Sequence, residues 1–507
     1  MAELADRSLP PATTRWWSVS RARAGGWLLL LLHYAAIALA FRLIMFGNPV
    51  VHVDEQFYLL VADQWRHGAL PFVDVWDRKP IGLFMLYRLF LAVPGDPVFV
   101  YQLFGLAATA ATALVVQRLA RAIAPDGSAW LAGIVYIFAM PAFSCSFGQA
   151  PVFYNLLMAL AAWQLIAVWK RPEAPHLIAR GLVVMALVGL ALQIKYSVLF
   201  EGVAFGALLL ARGWADLWRW RRLAWASLAW SGAALLPTVL AFVSYAAIGH
   251  GREFIQANFL SILQRLPDGS ASWWRLGTQM LALTPFWLAL LVAPRWLAMP
   301  APRDPVALPV LRAWALAAIG GYLLFGTWYD HYVAPMLVPL SVLAAPVLAR
   351  TAARERWFGR LLLLSSAIGG LAVMGIQFRN HGTAKQFDAM TALIQREMHG
   401  GCFYMFDGEP WLYHSVGACI PTRYAFATHL NTWTEAPAIG VDPADEVARI
   451  MRTRPDVVLI GEWQDIYLPN RVTRALMKDV LTRDYERYSG FVLGTHHFGL
   501  YRLKRAR

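Results

Sequence analysis

The sequence predicts a polytopic α-helical membrane protein of about eleven transmembrane helices, with an α/β extracytoplasmic domain at the C-terminal end. Three observations predict this. Of 507 residues, 58% are hydrophobic and only 15% are charged, against about 25% charged in an ordinary soluble chain. The apolar residues gather in runs near the length of about 20 that crosses a bilayer. The arginines recur between those runs, as charges held on the inner side of a membrane do. The net charge of +14 is thus spread as topology, and not gathered as a nucleic-acid footprint.

Residues 1–26 are polar and basic, and the apolar run behind them is long enough to stay as a span, so no cleavable leader is expected. Arg15, Arg21 and Arg23 put this N-terminus in the cytoplasm. Span one covers 27–46. The polar loop 47–97 is then outside, with two interfacial helices. In the first, Asp54, Tyr58, Val61 and Trp65 share a face, and Gly68 ends it. The second covers 80–91, with Pro80 in its first turn.

Spans two and three cover 98–119 and 129–140, and the uncharged connection 141–155 is outside. Span four reaches Trp169. The run 181–210 exceeds one crossing and both its flanks are basic. It reads as two short helices that turn outside near Lys195-Tyr196-Ser197. Further spans cover 223–248 and 275–292, end at Thr327 and Leu348, and cover 361–376. An amphipathic piece at 254–266 lies between the first two of these. This topology leaves every arginine cluster on one side.

The C-terminal segment 378–507 changes character and reads as a soluble α/β domain lying outside, after a transmembrane module at 27–377. Helices are expected at 384–398, 444–451 and 472–481, and short buried strands at 402–406 and 457–460. Cys402 and Cys419 both fall here. A disulfide and two free buried thiols are both open for them, and Cys145 reads as a small packing residue.

The chemistry concentrates in the outer loop. Asp54 and Glu55 point about 100° apart on a helix, so they cannot share one proton-transfer task. Asp54 lies on the face of Tyr58 and Trp65 and is the candidate base for an acceptor hydroxyl; its alternative reading is an acid favoured at a helix start. Asp77 and Lys79 follow, with Lys79 at the start of a helix, where anions bind; from chemistry alone, juxtamembrane charge at lipid headgroups is the stronger reading of them. Lys195 is a lysine inside an apolar run, costing about 2.5–3.5 kcal/mol at the bilayer centre. It suits a phosphate, with Glu201 able to pair with it only across a turn. His331 and Tyr332 occupy a short outer turn, where a histidine suits a phosphate or a metal. His52 and the remaining histidines have no interpretable ligand spacing. No Walker loop, H-E-x-x-H, C-x-x-C or dinucleotide fingerprint occurs. With no nucleotide site on an outward-facing enzyme, a lipid-linked donor is the expectation.

The D-E-x-x-Y of Asp54, Glu55 and Tyr58, followed by G-A-L-P-F-V-D-V-W-D-R-K-P, resembles the first outer loop of GT-C glycosyltransferases. The resemblance is to the bacterial branch of the protein mannosyltransferase superfamily, which includes lipid A aminoarabinose transferases and core galacturonosyltransferases. It continues in Gln193-Ile194-Lys195-Tyr196, in His331-Tyr332-x-x-Pro335, and from Glu409-Pro410-Trp411-Leu412-Tyr413 to Pro421-Thr422-Arg423-Tyr424.

The resemblance implies a GT-C fold in the inner membrane, a polyprenyl-phosphate sugar donor and catalysis on the periplasmic face. The acceptor would be a lipid, glycan or protein. It carries the base role onto Asp54 and phosphate contacts onto Lys79, Lys195 and His331. Glu55, Tyr58, Asp77 and Tyr332 complete the expected substrate-binding set. Two positions depart from the aminoarabinose transferases. Phe57 stands where they have arginine, and Arg78 where they have an acid tied to a metal. Asp77 could stand in for that acid, so a divalent metal stays open, and another sugar than aminoarabinose is expected. A flippase or transporter, with paired halves, and a non-catalytic scaffold are the other readings.

Overall fold

The computed structural model describes residues 21–170, 174–296, 301–348, 356–462 and 468–504. Segment 1–20 and Arg171, Arg350 and Arg354, which are expected on the inner side, lie outside the described residues. Each of the eleven predicted spans falls on a helix. They begin with α1 (Arg21–Arg42). After the two loop helices α2 (Val53–Arg66) and α3 (Ile81–Phe90) come α4 (Pro97–Ala120), α5 (Asp126–Ala142), α6 (Ala150–Lys170), α7 (Ala174–Leu192), α8 (Leu199–Ala215) and α9 (Trp220–Ala247). The pair Ser270–Ala282 and Thr284–Arg295 bends by 51°, and helices Ala307–Phe325, Ala334–Leu348 and Arg356–His381 complete the set. Seven of these are long and apolar enough to cross a membrane when the bent pair counts as one. The protein is a multi-pass membrane protein.

Local chemistry accounts for the helix starts. His52 caps α2 by accepting the Asp54 N–H on Nδ1, and Asp54 and Glu55 occupy the first turn, where the helix dipole favours acids. Asp96 caps α4 ahead of Pro97. The break between α7 and α8 falls at Lys195, as the length of the run required, and a short 3₁₀ turn (Tyr196–Val198) follows it. α3 docks on this break. The Leu83 N–H donates to Gln193 O at 3.0 Å, and a Cβ on Gly82 would come within 2.7 Å of that carbonyl. Glycine at 82 therefore lets the two elements that carry Lys79 and Lys195 meet.

The C-terminal part holds a four-stranded sheet of β1 (Phe403–Met405), β2 (Val457–Gly461), β3 (Tyr485–Leu493) and β4 (His496–Leu503), in the order β1-β2-β4-β3. β1 and β2 are parallel, and the other pairs antiparallel. Helices Ala384–Arg396, Pro443–Arg452 and Arg471–Asp484 match the predicted ones. The β3–β4 hairpin was not expected, because its polar residues alternate weakly and its turn carries one glycine, Gly494, at φ 61°. Cys402 and Cys419 are joined in a disulfide, and Cys145 is a buried free cysteine.

This part grips α2 and the loop behind it. Gln56 donates to the Glu409 carboxyl and accepts the Trp411 N–H. His414 meets Asp63 at 2.9 Å, and the Trp76 N–H donates to Arg423 O at 2.8 Å. Of the motif segments, Glu409, Trp411, Arg423 and Tyr424 are therefore docking contacts.

Burial lifts the Glu409 carboxyl from 4.5 to about 7, with Gln56 pulling the other way. Between those values the folded protein holds a proton that the unfolded chain has lost. Stability then falls as pH rises through that window, by on the order of 3 kcal/mol in all. Glu409→Gln keeps the shape without the charge. Its melting temperature is expected to vary less between pH 5 and 8 than that of the unaltered protein. Equal slopes would refute this.

Candidate active site

Four chain segments meet where α2 lies against the ends of the long apolar helices. α2 supplies Asp54, Glu55 and Tyr58, and the segment before α3 supplies Asp77 and Lys79. The α7–α8 break brings Lys195, and the 3₁₀ turn Asp330–Tyr332 brings His331 and Tyr332. The Tyr58 hydroxyl donates to Asp54 Oδ2 at 3.4 Å, as the shared helix face predicted. Lys79 Nζ lies 5.4 Å from the centroid of the Tyr58 ring, and Lys195 Nζ lies 3.8 Å from that of Tyr332. All eight predicted site residues belong to this cluster. Glu201 does not: its carboxylate takes the Trp314 indole N–H, so Lys195 is left facing the ring.

The two neighbouring acids have separate environments. Burial would raise Asp54, but Lys79, His52, His331 and the Gln149 hydrogen bond together hold it well below the ordinary carboxylate range. Burial pushes Glu55 up to about 8, against the Gly148 and Gln149 N–H groups and the Tyr101 hydroxyl beside it. Asp54 is thus the ionised carboxylate and Glu55 a neutral one at pH 7. Lys79 is raised despite its burial, by Asp77 and Asp54, and stays charged. Burial raises Asp77, which accepts the Arg78 N–H on Oδ1 at 2.7 Å while its buried Oδ2 has no hydrogen-bond partner.

Two members of the site were not read from the sequence. Gln149 Nε2 donates to Asp54 Oδ2 at 3.2 Å and lies 2.9 Å from His52 Nδ1. Its segment had been taken as a plain uncharged connection. In fact α5 runs through Pro141 to Ala142, and α6 begins at Ala150, leaving a tight turn. Buried Arg42, at the end of α1, holds that turn by donating to Ser146 O at 2.7 Å. Gly148 is needed there, since a Cβ would strike the Tyr87 hydroxyl at 2.2 Å.

His52 is the second. It brings a ligand atom within 4.8 Å of those of Asp54 and His331. Two imidazoles and a carboxylate are a donor set that suits zinc or iron, and the buried Gln149 Oε1 beside them has no hydrogen-bond partner. This triad fits a divalent metal. Asp77 and Arg78 do not belong to it; Arg78 is engaged instead by the carboxylate of Glu435.

No protein-family model matches the chain, and no curated protein matches it. Solved structures do. ArnT from Cupriavidus metallidurans bound to undecaprenyl phosphate superposes with a TM-score of 0.63 and 15% identity, over 94% of this chain and 98% of that one. The apo state of the same protein gives 0.61 over the same shares. An oligosaccharyltransferase from Archaeoglobus fulgidus, in complex with Zn and sulfate, gives 0.46 at 13% identity, over 85% of this chain and 67% of that one.

Proposed function

From the GT-C fold that this chain has, we propose that it is a membrane glycosyltransferase using a polyprenyl-phosphate sugar, with Asp54 as the general base. The observation that carries the proposal is the meeting of one ionised carboxylate with two lysines in a single buried site. A base alone serves many reactions. A base facing two lysines suits the attack of a hydroxyl and the departure of a phosphate.

The step balances as follows. Asp54 takes the proton of an acceptor hydroxyl. The acceptor oxygen forms a bond to the anomeric carbon, and the bond from that carbon to the donor phosphate oxygen breaks. The electron pair leaves with the polyprenyl phosphate, and the sugar inverts. Lys79 and Lys195 stabilise the developing charge. A phosphate between the lysines also offsets their pull on Asp54, so donor binding makes the carboxylate a better proton acceptor. Glu55 stays neutral beside the turn that carries Gln149. His331 and Tyr332 close the phosphate side. A divalent metal, where bound, would be held by His52, Asp54 and His331 and would add positive charge beside the phosphate.

We place the enzyme in the inner membrane, with this site and the C-terminal domain (378–507) on the periplasmic face after the transmembrane module 27–377. The acceptor would be a glycolipid, glycan or protein of the envelope. The testing experiment is mass spectrometry of envelope glycans from cells with the protein, without it, and with Asp54→Asn. One sugar missing from the same glycan in both altered strains is expected. Unchanged glycans, with a polyprenyl-linked sugar accumulating on the inner leaflet, would make it a flippase.

Gln149→Leu tests the support of the base. It removes both polar contacts at nearly constant volume. Turnover is expected to fall about tenfold with the donor KM within about twofold, since a hydrogen bond to a charged group contributes about 1.5–3 kcal/mol. Steady-state kinetics in nanodiscs measure it, and a change confined to KM contradicts the assignment.

A further inference from the structure

Arg78, the residue before Lys79, opens an ion network that spans three parts of the chain. Both Arg78 Nη atoms reach the Glu435 carboxylate, from the C-terminal part. Arg265, from the segment after α9, donates from Nε to Glu435 Oε1 at 2.7 Å, and from Nη2 to Asp268 Oδ1 at 2.9 Å. Its Nη2 also donates to the Tyr329 hydroxyl at 2.6 Å, and that hydroxyl donates to Asp268 Oδ2 at 2.8 Å. Arg275 binds Asp268 as well. The side chains of Arg265, Asp268 and Glu435 are each 10% exposed or less. One residue before Glu435, the Thr434 carbonyl accepts the Leu266 N–H at 3.0 Å. The contact is therefore a built junction.

The charges make Glu435 its keystone. Three arginines share two acids, and Glu435 alone binds both Arg78 and Arg265. Its two arginines outweigh burial and hold its carboxyl at about 2, so it is ionised at any working pH. Without it, Arg265 keeps Asp268 but Arg78 loses its acid, and the carboxylate that joined the two guanidiniums is gone. Arg78 then has to move, and Lys79 is bonded to it.

We infer that Glu435 is a positioning residue for Lys79, making the phosphate pocket depend on the C-terminal part being docked. This rests on the reading of Lys79 as a phosphate contact. It gives the junction a role beyond holding two parts together: phosphate is held well only when the C-terminal part is seated.

The test uses the full-length protein in nanodiscs, with farnesyl phosphate as probe and farnesol as the control that lacks the headgroup. Glu435→Gln is expected to weaken farnesyl phosphate binding about tenfold, near 1.4 kcal/mol, and to leave farnesol unchanged. Glu435→Asp recovers most of the loss. Lys79→Ala combined with Glu435→Gln binds no more weakly than Lys79→Ala alone, since both act on one contact. Asp268→Asn, which loses contacts to Arg265, Arg275 and Tyr329 but not to Arg78, lowers the melting temperature with a smaller loss of phosphate affinity than Glu435→Gln.

Phosphate binding at full strength in Glu435→Gln overturns the inference, and so do losses that multiply in the double variant. If Glu435→Gln does not fold, Arg78→Gln, which cuts the same link from the Lys79 side, runs the cycle with Lys79→Ala. Unaltered protein that binds farnesyl phosphate no better than farnesol, or Lys79→Ala that binds it normally, overturns the Lys79 reading itself and this inference with it.

Discussion

Asp54→Asn is expected to lower sugar transfer by about 10²–10⁴-fold, the usual contribution of a general base. The amide is the same size, so α2 and its His52 cap persist. The electrostatics give this prediction a second, opposite-signed readout. Asp54 is the anion that Lys79 and His52 hold in place, and it repels an incoming phosphate. Removing its charge should leave phosphate binding equal or tighter while turnover collapses. Initial rates and farnesyl phosphate binding, measured on one preparation, check both halves. Near-normal turnover removes Asp54 as base. Turnover and binding lost together would make the residue part of the phosphate site.

Lys195→Met comes next in expected size. The methionine fills the channel of the lysine stem but brings no charge to the phosphate. Losing one stabiliser of developing charge costs about 10²–10³-fold in turnover. Donor affinity should fall too, because the ammonium acts on the bound phosphate as well as on the departing one. Stability should move the other way. Lys195 is 7% exposed, Glu201 is committed to Trp314, and burying an amine without an acid partner costs stability that a methionine does not. Lost turnover with an unchanged or higher melting temperature therefore marks a functional lysine. Full activity in Lys195→Met would return Lys195 to an interfacial lysine stacked on Tyr332.

What could be read from the sequence, and what could not, divides by range. The spans were legible because the bilayer imposes a length on each one, and even the break at Lys195 followed from a run too long for one crossing. The reacting cluster was partly legible, because polar residues in an apolar chain stand out and because the opening motif resembles a known loop. Gln149 was not, since a neutral amide in a charge-free turn gives no local sign that Arg42 and Gly148 hold it against Asp54. His52 was hidden because its partner His331 comes from a distant turn. Glu435 has no local sign in the sequence either. Its meaning comes from Arg78 and Arg265, and nothing in the spacing of the three brings them together.

The strand order carries a consequence for the pocket. β4, the last strand of the chain, lies between β2 and β3. Its neighbour β2 precedes it by a helix and a strand, and the sheet cannot close without β4. Glu409, Arg423 and Glu435, which grip α2 and the segment before α3, come from the part built on that sheet. The loop that carries Asp54 and Lys79 comes long before β4 in the sequence, so the surface that seats it is completed only when β4 pairs with two strands that precede it. A change in β4 would therefore be felt at the pocket without touching any residue of it.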